Sequence, residues 1–224
     1  MPIAVSNIPR SPRADWTIRI VRCAFGLALF GAGIAGILQA ELGAAPWDVF
    51  HQGLSELTGI PIGLVIILVG VALLLLWIPL RQRPGVGTVL NTLEVGFVVD
   101  LVLPALPETD RLVPRVAYLA AGIVLIALGS GFYIGSGLGS GPRDGIMMGL
   151  RDRGISVKWG RTAIEIVVLL TGLALGGTVG IGTLAFTVGI GPLVHVVLPH
   201  LTLPPRDTMA ARRRSAISTG SGRS

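Results

Sequence analysis

Long apolar stretches, separated by short polar segments, run along most of the chain. A helix needs about 20 apolar residues to cross the hydrocarbon core of a membrane, and lipid leaves open strand edges without hydrogen-bond partners. We therefore predict spanning helices at residues 18–41, 60–80, 86–105, 115–138, 161–178 and 181–202.

Two other segments carry helix signals but are too short to cross. Residues 46–58 and 142–153 both begin with proline, and Gly59 and Gly154 follow them. Proline suits the first turn of a helix, and glycine suits the position after its end. A helix of this length measures about 20 Å, so we predict two short re-entrant or interfacial helices.

The chain repeats itself with a period of about 95 residues over nearly all of the apolar region. Residues 42–50 read LGAAPWDVF, and residues 138–146 read LGSGPRDGI. The other matching pairs include Arg19 and Arg115, Gly26 and Gly122, Gly33 and Gly129, and the Gly-x-Gly-Thr segments at 85–88 and 180–183. Each copy holds three predicted spans and one short helix, and an odd number of crossings inverts the second copy. The predicted fold is an all-α polytopic membrane protein with six transmembrane helices, two short helices and a 3+3 inverted repeat.

The charges of the two copies differ as an inverted repeat requires. Residues 41–60 contain acidic residues and neither Arg nor Lys, whereas residues 139–161 are mainly basic. Cytoplasmic loops collect Lys and Arg. With the N-terminus in the cytoplasm, every basic residue except Arg111 and Arg115 falls on the cytoplasmic side. We therefore predict that both termini are cytoplasmic.

The composition agrees with a membrane protein and narrows its chemistry. The chain is 51% hydrophobic and 13% charged, with a mean hydropathy of +0.76, which is more apolar than a soluble core needs. The basic residues behind the net charge of +6 flank the apolar stretches, so they indicate orientation in the lipid bilayer and no nucleic-acid partner. Cys23 is the only cysteine, and no catalytic motif occurs. We predict no metal site, no cofactor and no enzymatic activity.

One membrane domain with two polar tails is the predicted organisation. Residues 1–16 form a cytoplasmic N-terminal tail, and residues 17–205 form the membrane domain. Within it, repeat 1 covers about 17–107 and repeat 2 about 111–203. Residues 206–224 are predicted to form a disordered basic tail in the cytoplasm, held near anionic lipid.

The first turns of the two short helices supply candidate site residues. Asp48 and Asp144 lie two residues after the prolines, and Trp47 and Arg143 precede them at matching positions. A carboxylate in the first turn can simply cap the helix. Alternatively, two helix starts that face one cavity bind a cation, a proton or a polar solute near the membrane midplane. Both interpretations stay open.

A polar face on the third predicted span supplies the other candidates. Thr88, Asn91, Thr92 and Glu94 fall within about half of the helix circumference. Burying Glu94 costs about 2.5 kcal/mol or more, so this face should turn away from lipid. The second copy does not repeat Asn91 or Glu94. A binding site there would be asymmetric, and an interhelical hydrogen bond is the alternative.

Several other positions favour structural roles. Arg161 and Glu165 are four residues apart and can pair on one helix face. Asp100 and His195 match in the repeat, and both are expected to reach headgroup water. The repeated glycines favour close helix packing, and the threonine of each Gly-x-Gly-Thr segment is expected to cap a helix start.

Three features resemble a known family. The Leu-Gly-x-x-Pro-Trp-Asp stretch at 42–48, the Gly-x-Gly-Thr at 85–88 and Asp100 are similar to the YczE/YitT-type bacterial integral membrane proteins, particularly the YczE-like branch. The resemblance covers about residues 15–205. It implies a multi-pass protein of the bacterial cytoplasmic membrane. The second copy departs from the motif at Arg143, so the two half-sites are not expected to bind identically.

Two functions from different classes fit these features. A small-solute or ion transporter fits the inverted repeat, the paired helix starts and Glu94. A non-transporting accessory or scaffold protein that packs against a partner, or a homo-oligomer, fits the glycine-rich helix faces. Convergence of Asp48, Glu94 and Asp144 on a polar cavity would favour the transporter.

Overall fold

The computed structural model describes residues 12–204 and contains α-helices but no strand within them. The helices are α1 (Pro12–Ala40), α2 (Pro46–Thr58), α3 (Ile62–Leu80), α4 (Val86–Val102), α5 (Leu112–Gly135), α6 (Pro142–Arg151), α7 (Val157–Ala174) and α8 (Ile181–Leu201). A short 3-10 turn, Leu103–Ala105, follows α4. The all-α prediction is confirmed. The predicted basic tail at 206–224 lies outside the described residues.

Five of these helices are long and apolar enough to cross a membrane: α1, α3, α4, α5 and α8. The helix α7 occupies most of the predicted span 161–178 but begins earlier, at Val157. It carries Lys158, Arg161 and Glu165 within its 18 residues, whereas each of the other five contains an apolar stretch of 18 residues with at most two charged residues. The chain is a multi-pass helical membrane protein, and its sixth span stays a prediction.

The two short helices follow the proline and glycine signals in the sequence. Both begin at the predicted prolines, Pro46 and Pro142. The helix α2 ends before Gly59, whose φ of 70° lies in the left-handed region that favours glycine. The helix α6 stops at Arg151, two residues before the predicted end, and a turn leads to Gly154. The short helices therefore exist where the sequence predicts them.

Glycine contacts join α1 to α5 at the centre of the fold. Gly26 lies against Gly129, and Gly33 lies against Gly122. The two helices are antiparallel, because the contact positions rise along α1 while they fall along α5. The missing side chains let the two backbones approach closely, and dispersion contacts replace them. The packing role predicted for these four glycines is confirmed.

The repeated Leu-Gly segments bind the repeated helix starts in the opposite half of the chain. The carbonyl oxygen of Leu42 accepts a hydrogen bond from the Gly182 N–H at 2.7 Å. The carbonyl oxygen of Leu138 accepts one from the Gly87 N–H at 3.0 Å. Each Leu-Gly motif therefore satisfies an N–H in the first turn of α8 or α4, where a helix has no internal partner to offer.

The matching arginines make equally reciprocal contacts. Arg19 donates a hydrogen bond to the carbonyl oxygen of Ser136, just after α5, at 2.8 Å. Arg115 donates one to the carbonyl oxygen of Ala40, the last residue of α1, at 2.7 Å. Carbonyl groups at a helix C-terminus carry partial negative charge, so a cation there is stabilising. Arg19 is the more buried of the two, and it also pairs with Asp15 at 2.9 Å.

The short helices pack across the halves. Gly172 of α7 lies against Val49 and Phe50 of α2, and Gly145 of α6 lies against the indole of Trp77 in α3. A glycine meets a larger residue in both contacts. In the first contact the glycine belongs to the long helix α7, and in the second it belongs to the short helix α6. The helices α3 and α4 also pack against each other, whereas α7 and α8 make no comparable contact along their described lengths. The two halves therefore differ: α3 packs against α4 in the first half, and α7 does not pack comparably against α8 in the second.

Candidate functional site

A cavity of about 720 Å³ lies among the helices, and all eight contribute to its wall. Apolar side chains such as Phe30, Ile66, Ile126, Phe186 and Ile190 form part of the lining. The polar lining residues discussed below are Trp47, His51, Asn91, Tyr133, Arg143, Asp144, Arg151, Arg161, Glu165 and His195. The cavity is therefore amphipathic, with a cluster of charges on α6 and α7.

The N-termini of α2 and α6 meet at this cavity. The Cζ atom of Arg143 lies 4.7 Å from the centroid of the Trp47 ring. This is a cation–π contact, in which the guanidinium is attracted to the electron-rich face of the indole. Trp47 and Arg143 are matching positions of the repeat, so the sequence difference between the copies produces a complementary pair. Two arginines at these positions would repel each other.

Asp48 lies beside this pair and is buried. Its Oδ1 is 3.5 Å from His51 Nδ1 and 3.9 Å from an Nη2 atom of Arg143. Neither contact is a hydrogen bond, and Asp48 Oδ1 and His51 Nδ1 have no hydrogen-bond partner among the described residues. Burial lowers the pKa of His51, and the carboxylate of Asp48 opposes that shift. Asp48 Oδ1 therefore lies within 4 Å of both His51 and Arg143 and is hydrogen-bonded to neither.

Asp144 has a different role from Asp48. Its Oδ2 accepts a hydrogen bond from the Gly141 N–H at 3.3 Å, which caps the start of α6. It is exposed, and it lines the cavity. The start of α2 has no side-chain cap, so Asp48 does not cap its helix. The capping interpretation is therefore confirmed for Asp144 only.

The polar face predicted on α4 divides among several locations. Thr88 is fully buried, and its hydroxyl oxygen accepts a hydrogen bond from the Gly85 N–H at 3.1 Å, so its capping role is confirmed. The matching Thr183 accepts one from the Gly180 N–H at 3.3 Å. Asn91 and Thr92 line the cavity. Glu94 is half-buried and is not part of the cavity lining. The cavity thus brings together Trp47, Asn91, Thr92, Arg143 and Asp144, with Asp48 behind them. Of the three carboxylates whose convergence was to favour the transporter, only Asp144 lines the cavity.

The other charged or titratable residues singled out in the sequence lie in an ion pair, at a helix start or at the cavity. Arg161 and Glu165 form the predicted ion pair, with 2.8 Å between Nε and Oε1, and both line the cavity. Asp100 accepts hydrogen bonds from the N–H groups of Gly63 and Leu64 at 2.6 and 3.0 Å, which stabilises the start of α3. His195, its match in the repeat, lines the cavity.

Among the polar lining residues that the sequence did not assign to a site, His51 and Tyr133 are buried and carry an atom without a hydrogen-bond partner in the described residues. His51 lies three residues after Asp48, a spacing that places both on one helix face and could have indicated it. Tyr133 lies in an apolar span, where nothing in the sequence separates it from a packing residue. It is 4% exposed, and its hydroxyl has no hydrogen-bond partner among the described residues.

These features define a helical multi-pass membrane protein with a polar cavity at the junction of two short helices. Residues 17–199 match the family of unknown function DUF6198, and the chain belongs to this family. No solved structure matches the chain.

Relatives in two bacteria share most of the chain. An uncharacterized protein of Haemophilus influenzae is 37% identical over 210 residues, which cover 88% of this chain and 96% of the relative. The uncharacterized membrane protein YczE of Bacillus subtilis is 31% identical over 196 residues, with 86% and 90% covered. The uncharacterized protein YyaS of Bacillus subtilis is 29% identical over 179 residues, with 78% and 89% covered. The predicted resemblance to the YczE-like branch is confirmed.

Proposed function

We propose that the protein is a small-solute transporter of the bacterial cytoplasmic membrane, built from two inverted modules of three spans each. The observation that carries this proposal is the cavity at which the N-termini of α2 and α6 meet. Transporters with inverted repeats bind their substrates at the interface of the repeats, where short or broken helices end. The non-transporting accessory protein remains the alternative, and it requires no such cavity.

The reciprocal contacts support the inverted repeat. Leu42 contacts Gly182, and Leu138 contacts Gly87. The two leucines match each other in the repeat, and so do the two glycines. The glycine contacts between α1 and α5 follow the same rule, since Gly26 meets the match of Gly33, and Gly33 meets the match of Gly26. Such exchange is what a two-fold axis produces. An axis in the membrane plane would invert one module relative to the other.

Cysteine labelling tests the inverted orientation. Cys23 is fully buried, so single cysteines introduced at the exposed positions Thr58 and Ile155 carry the signal. We expect an impermeant maleimide to label Thr58→Cys on intact cells and to label Ile155→Cys only after permeabilisation, because positive loops stay inside. Labelling of both positions from the same side would disprove the inverted repeat.

Uptake into proteoliposomes tests transport. We expect at least one solute from a panel of labelled acids, amines, sugars and inorganic ions to enter faster than into protein-free liposomes. Asp48→Asn should slow that uptake about tenfold or more, because it removes the carboxylate beside Arg143 at a cost of at least ~1.4 kcal/mol. Glu94→Gln is the matched control. Neither carboxylate lines the cavity, but Asp48 lies 3.5 Å from His51 and 3.9 Å from Arg143, which do, whereas Glu94 forms no ion pair among the described residues. The control should change uptake less than about twofold.

The outcomes separate the two functions. Equal loss in both variants would mean that the contacts of Asp48 with His51 and Arg143 have no special role in uptake, and it would contradict the site. A panel in which no solute enters faster than into protein-free liposomes would favour the accessory protein.

A further inference from the structure

We infer that the cavity binds an organic anion whose carboxylate or phosphate group lies between the N-termini of α2 and α6, with Arg143 as its counter-charge. This names a substrate class for the transporter proposed above and rests on that proposal for the transport step. Binding can be measured without transport, so the two ideas can fail separately.

Arg143 has free donors where such a group would lie. Its side chain is 33% exposed and lines the cavity, and its guanidinium donates no hydrogen bond to the described residues. The nearest carboxylate oxygen, Asp48 Oδ1, is 3.9 Å away, beyond hydrogen-bond range. The Trp47 ring centroid lies 4.7 Å from Cζ, and no described residue accepts a hydrogen bond from the planar N–H edge of the guanidinium. That edge matches a carboxylate or a phosphate in a bidentate contact.

The two helix starts add positive potential at the same place. The first N–H groups of a helix have no internal partner, and the N-terminal end of the helix dipole is positive. Pro46 and Pro142, the first residues of α2 and α6, both line the cavity. The start of α2 has no side-chain cap. An oxyanion between these ends would be stabilised by the positive ends of both helix dipoles.

Two buried polar groups of the cavity lining have unmet hydrogen-bonding capacity. The Tyr133 hydroxyl and His51 Nδ1 have no hydrogen-bond partner among the described residues, and these side chains are 4% and 1% exposed as residues. Leaving a buried polar group without a partner is unfavourable. The Tyr133 O–H can donate to a ligand oxygen, so a bound anion would remove this cost. The Tyr133 hydroxyl lies on α5, so its part of this observation is independent of Arg143 and of the helix starts.

The remaining charges at the cavity have partners of their own. Arg161 pairs with Glu165 at 2.8 Å, and Arg151 pairs with Asp152 at 3.3 Å. Asp144 uses Oδ2 to cap α6. Arg143 is therefore the cavity arginine that donates no hydrogen bond within residues 12–204, although Asp48 lies 3.9 Å from it.

The apolar part of the lining indicates an organic body for the anion. Phe186, Ile190 and Val194 of α8 face the cavity, as do Ile66 of α3 and Ile126 of α5. An inorganic anion would leave these side chains against water, whereas an apolar group on the ligand would cover them. The chemistry that fits is an acid group attached to an apolar body.

A matched set of ring compounds tests the charge preference. Benzoate, phenyl phosphate, benzylammonium and benzyl alcohol share one ring and differ in their charge. Calorimetric titration of the purified protein in a non-ionic detergent should show binding of the two anions and at least about tenfold weaker binding of the other two. Lysophosphatidic acid then distinguishes the sources of the anion. If it displaces phenyl phosphate and binds more tightly, the ligand is a lipid headgroup; weaker binding indicates a soluble acid.

Three variants locate the binding. Arg143→Gln should weaken benzoate binding about tenfold or more, and Tyr133→Phe about two- to fivefold. Tyr133→Phe removes only an unpartnered hydroxyl, so it should fold even if Arg143→Gln does not. Arg153→Gln is the control, because Arg153 follows α6 but is outside the cavity lining, and it should leave binding unchanged.

Each result decides between the ideas. Equal or tighter binding of benzylammonium, no binding of either acid, or unchanged binding in Arg143→Gln and Tyr133→Phe would overturn the anion site. Anion binding without uptake of any solute would keep the site and disprove the transporter. Uptake without a preference for anions would keep the transporter and disprove the anion site.

Discussion

Replacing Gly33 with alanine should lower the free energy of unfolding by about 1–3 kcal/mol, the usual cost of overpacking a well-packed core. A Cβ atom at Gly33 would lie 2.7 Å from the carbonyl oxygen of Gly122 and 2.7 Å from Cγ1 of Ile126. Because a backbone oxygen cannot move without moving α5, the two helices must separate. Thermal unfolding of the purified protein in detergent measures the loss.

Gly189→Ala is the matched control for this change. Gly189 also lies inside a helix, but nothing lies within 4 Å of an added Cβ atom there. Alanine is favoured over glycine in a helix interior by about 1 kcal/mol. The control should therefore be as stable as the unaltered protein or more stable. Equal destabilisation of both variants would mean that the α1–α5 contact does not hold the fold together.

Trp47→Arg should be the most damaging single change at the cavity. It places a second guanidinium about 5 Å from Arg143, which costs about 3 kcal/mol at an effective dielectric constant of 20. It also removes the cation–π contact, worth about 0.5–2 kcal/mol. We expect a lower unfolding temperature that rises again with added salt, because salt screens the repulsion.

The exchange variant Trp47→Arg/Arg143→Trp tests the pairing itself. It restores one guanidinium and one indole at the two matching positions, so it should recover most of the lost stability. A double-mutant cycle on the free energy of unfolding measures the coupling between the two residues. If the effects of the two single changes simply add, the contact between these positions contributes nothing.

The backbone was largely predictable, because its signals are local. Proline and glycine mark the ends of α2, which matches residues 46–58. The start of α7 was not predictable in the same way. The predicted span begins at Arg161, the last basic residue before the apolar run, but the helix begins at Val157 after Ser156. Charge does not stop a helix; it only stops the apolar run by which a span is recognised.

The site was less predictable, because burial depends on packing between distant segments. Asp48 and Asp144 have the same local sequence position, and α3 and α7 pack on both short helices, but Asp48 is buried whereas Asp144 stays exposed. Glu94 is a candidate site residue in the sequence, yet it is not part of the cavity lining. The direction of a polar residue on a spanning helix is set by its neighbours, which hydropathy alone does not identify.

The contacts of Arg19 have a consequence for biosynthesis. Apart from Asp15 in its own helix, its guanidinium donates to the carbonyl oxygens of Ser136 and Pro204. Pro204 lies 185 residues further along the chain. At about 5–20 residues per second, the ribosome needs roughly 10 to 40 s to reach it. The first helix to be translated therefore makes its contact with Pro204 among the last. Until then, water, lipid headgroups or the insertion machinery must supply hydrogen-bond acceptors to Arg19.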